Sequence, residues 1–117
     1  MNGFLTTHVL DTAKGCPAAG IQIELFCYEN GQAVKLGDAV TNADGRTDSP
    51  ILPKEDFALG QYELVFHAGD YLRRTGQAEQ APLFLDVVPI RFGMSQDDHY
   101  HVPLLLSAHG FATYRGS

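Results

Sequence analysis

Apolar residues recur at every second position through most of this chain. Residues 4–10 alternate, with Leu5, Thr7 and Val9 on one face and Thr6, His8 and Leu10 on the other. If Leu5 and Val9 turn to a core, His8 faces outward. Residues 20–29 alternate more fully: Ile21, Ile23, Leu25 and Cys27 fall inward, and Gln22, Glu24 and Phe26 outward. Residues 60–67 repeat the pattern with Tyr62, Leu64 and Phe66 on one face. Residues 33–41 form a weaker strand. Residues 84–94 form another, in which Pro89 argues for an edge position or a bulge. Residues 49–53 amount to a short edge piece at most.

The punctuation between these runs is as regular as the runs. Asp11, Lys14-Gly15 and the Pro17-to-Gly20 stretch make 11–20 a loop. Asn30-Gly31 predicts a hairpin turn, because that pair accepts the positive dihedrals such turns need. Asn42-Ala43-Asp44-Gly45 is the next turn, and it delivers Arg46 to whatever follows. Residues 68–76 are the one helical stretch, with Asp70 placed to cap it and Gly76 to end it. Residues 99–117 read as two strands around a tight turn at His109-Gly110. An apolar, turn-punctuated chain end of this kind is expected to dock into a sheet rather than fray. Seven or eight short strands and one brief helix predict an all-β fold, a two-sheet antiparallel β-sandwich.

Composition narrows the partners. A chain of 117 residues, 44% hydrophobic, is the right size for one domain, 1–117, around one core. Eight basic against fourteen acidic residues give a net charge of −6, which disfavours nucleic acid and anionic membrane surfaces. No apolar run approaches the roughly 20 residues that span a bilayer. The opening Met1-Asn2-Gly3-Phe4 has no leader-like pattern, so a cytoplasmic location is expected. In that setting Cys16 and Cys27 read as thiols.

Four polar residues stand out as candidate chemistry: His8, Arg46, His101 and Ser117. Each has a plain reading when taken alone. His8 fits a solvated strand histidine, Arg46 a surface charge near Asp44 and Asp48, and Ser117 a chain end. His101, beside Val102-Pro103-Leu104-Leu105-Leu106, is expected to be partly buried. His99 and His101 share one strand face, as in some metal sites, but no third ligand is supplied and no metal is expected. No Gly-x-Ser-x-Gly elbow and no phosphate-cradling glycine loop occurs. Leu104 to Leu106 belong to a core or to an oligomer interface.

Three separated stretches carry a resemblance. They are Leu5-Thr6-Thr7-His8-Val9-Leu10-Asp11 with Gly15-Cys16-Pro17-Ala18, then Thr41-Asn42-Ala43-Asp44-Gly45-Arg46, then His99-Tyr100-His101-Val102-Pro103-Leu104-Leu105-Leu106-Ser107 with Tyr114-Arg115-Gly116-Ser117. In this order, over essentially the whole chain, they resemble the 5-hydroxyisourate hydrolases of the transthyretin-like family. The final Tyr-Arg-Gly-Ser separates those hydrolases from the hormone carrier of the same fold. One segment departs from the pattern. The family typically reads Ser-Pro-aromatic-Gly-Tyr-Ser-Thr where this chain has Ser107-Ala108-His109-Gly110-Phe111-Ala112-Thr113, a change that bears on the hairpin turn.

The resemblance implies a reaction: hydrolytic opening of the cyclic amide of 5-hydroxyisourate to 2-oxo-4-hydroxy-4-carboxy-5-ureidoimidazoline, in urate breakdown. It implies that His8, Arg46, His101 and Ser117 line the site, with Tyr114 among the substrate contacts. Imidazoles suit water activation because their ordinary pKa, about 6.5, lies near working pH. The guanidinium suits a developing oxyanion. Ser117 would hold substrate or water. Either histidine could be the base. The family needs no metal or organic cofactor, and it assembles as a homotetramer, a dimer of dimers, with sites in a channel where subunits meet. Two other readings are a non-catalytic carrier of small aromatic ligands and an immunoglobulin-like interaction module. The Tyr-Arg-Gly-Ser ending argues against the first, and the missing secretion signal and disulfide frame argue against the second.

Overall fold

The alternating stretches become eight strands in a computed structural model that describes residues 1–116. In chain order these are β1 (Phe4–Asp11), β2 (Cys16–Pro17), β3 (Gln22–Glu29), β4 (Gln32–Val40), β5 (Gly60–His67), β6 (Val87–Met94), β7 (His99–Ser107) and β8 (Gly110–Thr113). One helix, α1 (Ala68–Arg74), follows β5 directly. The strands form two four-stranded sheets, ordered β2-β1-β7-β8 and β4-β3-β5-β6. Leu5, Val9, Leu104 and Leu106 of the first sheet and Ile23, Leu25, Leu64 and Phe66 of the second are buried in the core between them. The expected sandwich is therefore present.

Its pairings are antiparallel with one exception. β1 and β7 run parallel, with Phe4 opposite His99, Thr6 opposite His101 and His8 opposite Pro103. The physical reason is the connection. The second sheet and α1 intervene between the two strands, so the chain need not return through a hairpin and can re-enter in the same direction. This register sets the candidate site.

Local details follow from residue chemistry. Asn30 and Gly31 both have positive φ, 52° and 79°, in the turn between β3 and β4. Pro89 sits on β6, an edge strand, where its missing N–H costs no internal ladder bond. β6 begins only at Val87, three residues later than the pattern suggests, and Phe84 lies in the preceding loop, 72% exposed. Gly76, φ 72°, ends the helix as expected, its N–H bonding the Arg73 carbonyl. Asp70 does not cap. It lies in the first turn, while the Gly69 N–H is taken up by the Asp86 carbonyl. Cys16 and Cys27 are free thiols. No helix among the described residues is long and apolar enough to cross a membrane.

α1 is fastened to the first sheet by a buried carboxylate. Asp11, 2% exposed, accepts hydrogen bonds from the Tyr71 hydroxyl at 2.6 Å, the Gln77 amide at 2.9 Å and the Lys14 N–H at 2.9 Å. Burial alone would raise its pKa, but these donors outweigh burial and hold the carboxyl below its ordinary value. Asp11→Ala is expected to cost about 3 kcal/mol in urea unfolding, since it strands a buried phenol and a half-buried amide. A depressed folded-state pKa also fixes the sign of the pH effect. The ionised Asp11 contributes fully above its unfolded value of about 3.9 and loses that contribution as pH falls through the lower folded value. The variant should lack this part of the acid destabilisation.

Candidate active site

The outward face of the first sheet gathers the imidazoles. On β1 the outward positions are Phe4, Thr6 and His8, and on β7 they are His99, His101 and Pro103. Parallel pairing brings them into rows: Phe4 with His99, Thr6 with His101, His8 with Pro103. The Phe4 and His99 rings stack at 4.1 Å. The His8 and His101 rings lie 6.2 Å apart, so a water or a small planar substrate could contact both.

Arg46 reaches this face through its turn. Asn42 builds the turn with its side chain. Its Oδ1 accepts from the Asp44 N–H at 2.9 Å and the Arg46 N–H at 3.2 Å, and its Nδ2 donates to Asp48 at 3.0 Å. Gly45 then takes φ 73° and donates to the Asn42 carbonyl. The Val9 N–H donates to the Gly45 carbonyl at 2.8 Å, tying the turn to β1. A Cβ at Gly45 would lie 2.4 Å from the Val9 carbonyl oxygen, so both the dihedral and the close approach require glycine here. The result is a backbone bridge between His8 and Arg46.

A second bridge, Leu5 with Leu52, tethers the same segment further along β1. The two tethers are three residue steps apart on β1, about 10 Å, while Arg46 to Leu52 spans six steps, about 20 Å if extended. The surplus must bow outward. The hollow beneath it, about 330 Å³, is lined by Thr6 and Thr7, by Arg46 to Pro50 and by His99 and His101.

The chain end closes on His101. The Gly116 N–H donates to the His101 carbonyl at 2.6 Å, and a Cβ on Gly116 would sit 2.9 Å from His101 Cδ2. The glycine of Tyr-Arg-Gly-Ser is thus needed for contact with the imidazole. Arg115 lies over the Tyr100 ring at 4.1 Å and pairs with Asp98 at 3.1 Å, which fastens this end.

The electrostatics favour neutral imidazoles. Burial, and then the Arg46 guanidinium, hold His8 below its ordinary pKa against a smaller opposing pull from Asp44. Burial, Arg46 and the neighbouring His8 and His99 do the same for His101. A neutral imidazole beside a fixed cation can take a proton from water while the cation attracts an oxyanion. If catalysis uses one of these bases, the rate should rise with pH along a limb centred below 6.5 and be flat at neutrality, as a pH–rate profile would show.

Of the residues singled out in sequence, His8, Arg46 and His101 are brought together. Arg46 and His101 line the hollow, and His8 stands beside it, its ring 6.2 Å from that of His101. Tyr114 is not in that hollow. It is 57% exposed and lines a neighbouring open hollow with Asp98, His99, Arg115 and Gly116. Ser117 lies outside the described residues. The residues that sequence reasoning does not bring to the site are Thr6, which it does not weigh, and His99, which it weighs only as half of a metal pair with His101. Their faces were readable from alternation, but that they meet depends on the parallel register. Among the described residues, no group of three or more His, Cys, Asp or Glu is arranged to hold a metal ion.

Comparison with known proteins is consistent with this geometry. The family model described as "HIUase/Transthyretin family" matches residues 5–116. A protein of Mesorhizobium japonicum named 5-hydroxyisourate hydrolase is 56% identical over 115 residues, covering 98% of this chain and 93% of that one. The solved 5-hydroxyisourate hydrolase of Klebsiella pneumoniae superposes with a TM-score of 0.78 at 31% identity, over 98% of this chain and 94% of that one. A crystal structure of (S)-allantoin synthase superposes with a TM-score of 0.91 at 47% identity, over 98% of this chain but only 44% of that longer chain. With a match across nearly its whole length, this chain belongs to the HIUase/Transthyretin family.

Proposed function

We propose that this protein hydrolyses 5-hydroxyisourate, opening the cyclic amide of its six-membered ring. The observation that carries the reading is the convergence of His8, Arg46 and His101, from three distant stretches, on one side of one sheet. The 56% identity to a relative named for that activity supports it.

The chemistry follows from the geometry. Arg46 holds the substrate's oxygens through its planar fork of donors and stabilises charge on the carbonyl oxygen under attack. His101 takes a proton from water at Nε2, and the hydroxide adds to the carbonyl carbon. The C–N bond then breaks as the leaving nitrogen regains a proton from an imidazolium, and the carboxylic acid formed releases its proton to water as a carboxylate. His8, across the gap, orients water or substrate. Ser117 completes the substrate contacts in this reading, Tyr114 stands outside the hollow, and no step calls for a metal.

We also propose that the working form is a cytoplasmic homotetramer, a dimer of dimers of single-domain chains, whose sites lie where subunits meet. In support, half-buried Leu10 and Leu105 share the outer sheet face with the two histidines, leaving apolar surface beside the site. Light scattering after size exclusion checks the mass.

The activity is tested by adding purified protein to freshly generated 5-hydroxyisourate and following loss of its ultraviolet absorbance. Decay faster than the spontaneous rate is expected. Saturable ligand binding without faster decay would instead favour a carrier.

A further inference from the structure

Thr6 joins two histidines with one hydroxyl. Its Oγ1 lies 2.7 Å from His99 Nε2 and 2.8 Å from His101 Nδ1. A hydroxyl has one proton, so it can donate to only one ring and must accept from the other. When both rings are neutral, the shared hydroxyl locks them in matched tautomers, in one of two senses. In one sense His99 Nε2–H donates to Thr6, which donates to His101 Nδ1, and His101 Nε2 then carries a proton. In the other, His101 Nδ1–H donates to Thr6, which donates to His99 Nε2, and His101 Nε2 keeps its lone pair. Among the described residues, His101 Nε2 has no hydrogen-bond partner of its own, whereas Nδ1 is committed to Thr6.

We propose that Thr6 and His99 form a proton relay that orients His101, holds it as the Nδ1–H tautomer, and leaves Nε2 as the free base. This rests on the hydrolase reading above, and it supplies the reason why His101 rather than His8 is the base in that reading. The register explains the direction. Along β1 the rows run Phe4/His99, Thr6/His101, His8/Arg46, so His99 and the Arg46 backbone lie on opposite sides of the His101 row. When His101 Nε2 takes the water proton, its Nδ1 proton passes to Thr6 Oγ1 and the Thr6 proton passes to His99 Nε2. The hydroxide formed balances the charge. The net positive charge ends on His99, one row further from the Arg46 backbone and stacked on Phe4. Thr6 and His99 are positioning residues here, since neither needs to touch the substrate. The charged and titratable groups around the relay are His8, beside His101, with Arg46 and Asp48 on one side and Asp98 and Arg115 on the other.

The test compares the wild type with Thr6→Val and Thr6→Ser in the absorbance assay, with histidine-ring nitrogen NMR on the same folded samples. Thr6→Val, nearly isosteric, is expected to lower kcat by about 10- to 100-fold, the scale seen when a partner that orients a ligating histidine is lost, with KM little changed. Thr6→Ser, which restores the hydroxyl, should return kcat to within about threefold of the wild type. The wild-type spectrum should show His101 protonated at Nδ1 near neutral pH. A Thr6→Val enzyme with wild-type kcat overturns the relay, and so does a His101 Nε2–H tautomer in the wild type. Should Thr6→Val fail to fold, the wild-type tautomer decides. An inactive wild type with the expected tautomer would instead overturn the hydrolase reading.

Discussion

His101→Asn is expected to lower turnover of 5-hydroxyisourate by about 10² or more, the usual scale for removing a general base. His101 lies within a central strand of its sheet, between β1 and β8, its carbonyl bonded to Gly116 and its Nδ1 to Thr6. An asparagine side chain can keep a polar contact with Thr6, so the strand register and the hollow should persist. What it cannot do is take a proton near neutral pH. The loss should therefore fall on kcat rather than KM, with an unchanged melting temperature as the control. A variant with near-normal turnover would remove His101 from the role of base and leave His8 as the remaining candidate.

Arg46→Ala is expected to act twice. Its guanidinium lines the hollow and lowers the pKa of both His8 and His101. Losing an oxyanion donor commonly costs about 10² to 10³ in rate. The second effect has a definite sign. Without the cation the imidazoles hold protons more tightly, so the acid limb of the pH–rate profile moves up towards 6.5. Burial still depresses the values, so the limb should stop short of an ordinary histidine. Arg46→Lys restores a positive charge without the planar fork. It should return the limb most of the way while recovering only part of the rate. That split separates the charge of Arg46 from its hydrogen-bond geometry.

Much of this site was legible in the residues. Alternation showed that His8 and Thr6 share a face of one strand and that His99 and His101 share a face of another. The Asn42-to-Gly45 turn was readable from its Asn, Asp and Gly, and the φ and close packing of Gly45 show why that glycine is needed. What alternation does not encode is which strand lies beside which. The parallel pairing of β1 and β7 is a long-range choice made by core packing across 95 residues of separation, and it decides that Thr6 meets both His99 and His101. The bowed segment after Arg46 was hidden for the same reason. It exists only because two backbone tethers on β1 are closer together than the chain between them is long. Local errors were smaller. Asp70 looked like a cap because aspartate favours that position, yet a backbone carbonyl from Asp86 already served the helix start.

The most direct measurement supplies freshly generated 5-hydroxyisourate in about hundredfold molar excess over the protein and follows its absorbance to completion. A carrier can sequester no more than its own sites, whereas an enzyme consumes the excess. Complete loss of substrate is expected, faster than the spontaneous reaction, at a rate proportional to protein concentration and largely abolished by His101→Asn. Decay at the spontaneous rate, with or without a stoichiometric drop at mixing, would contradict the hydrolase reading.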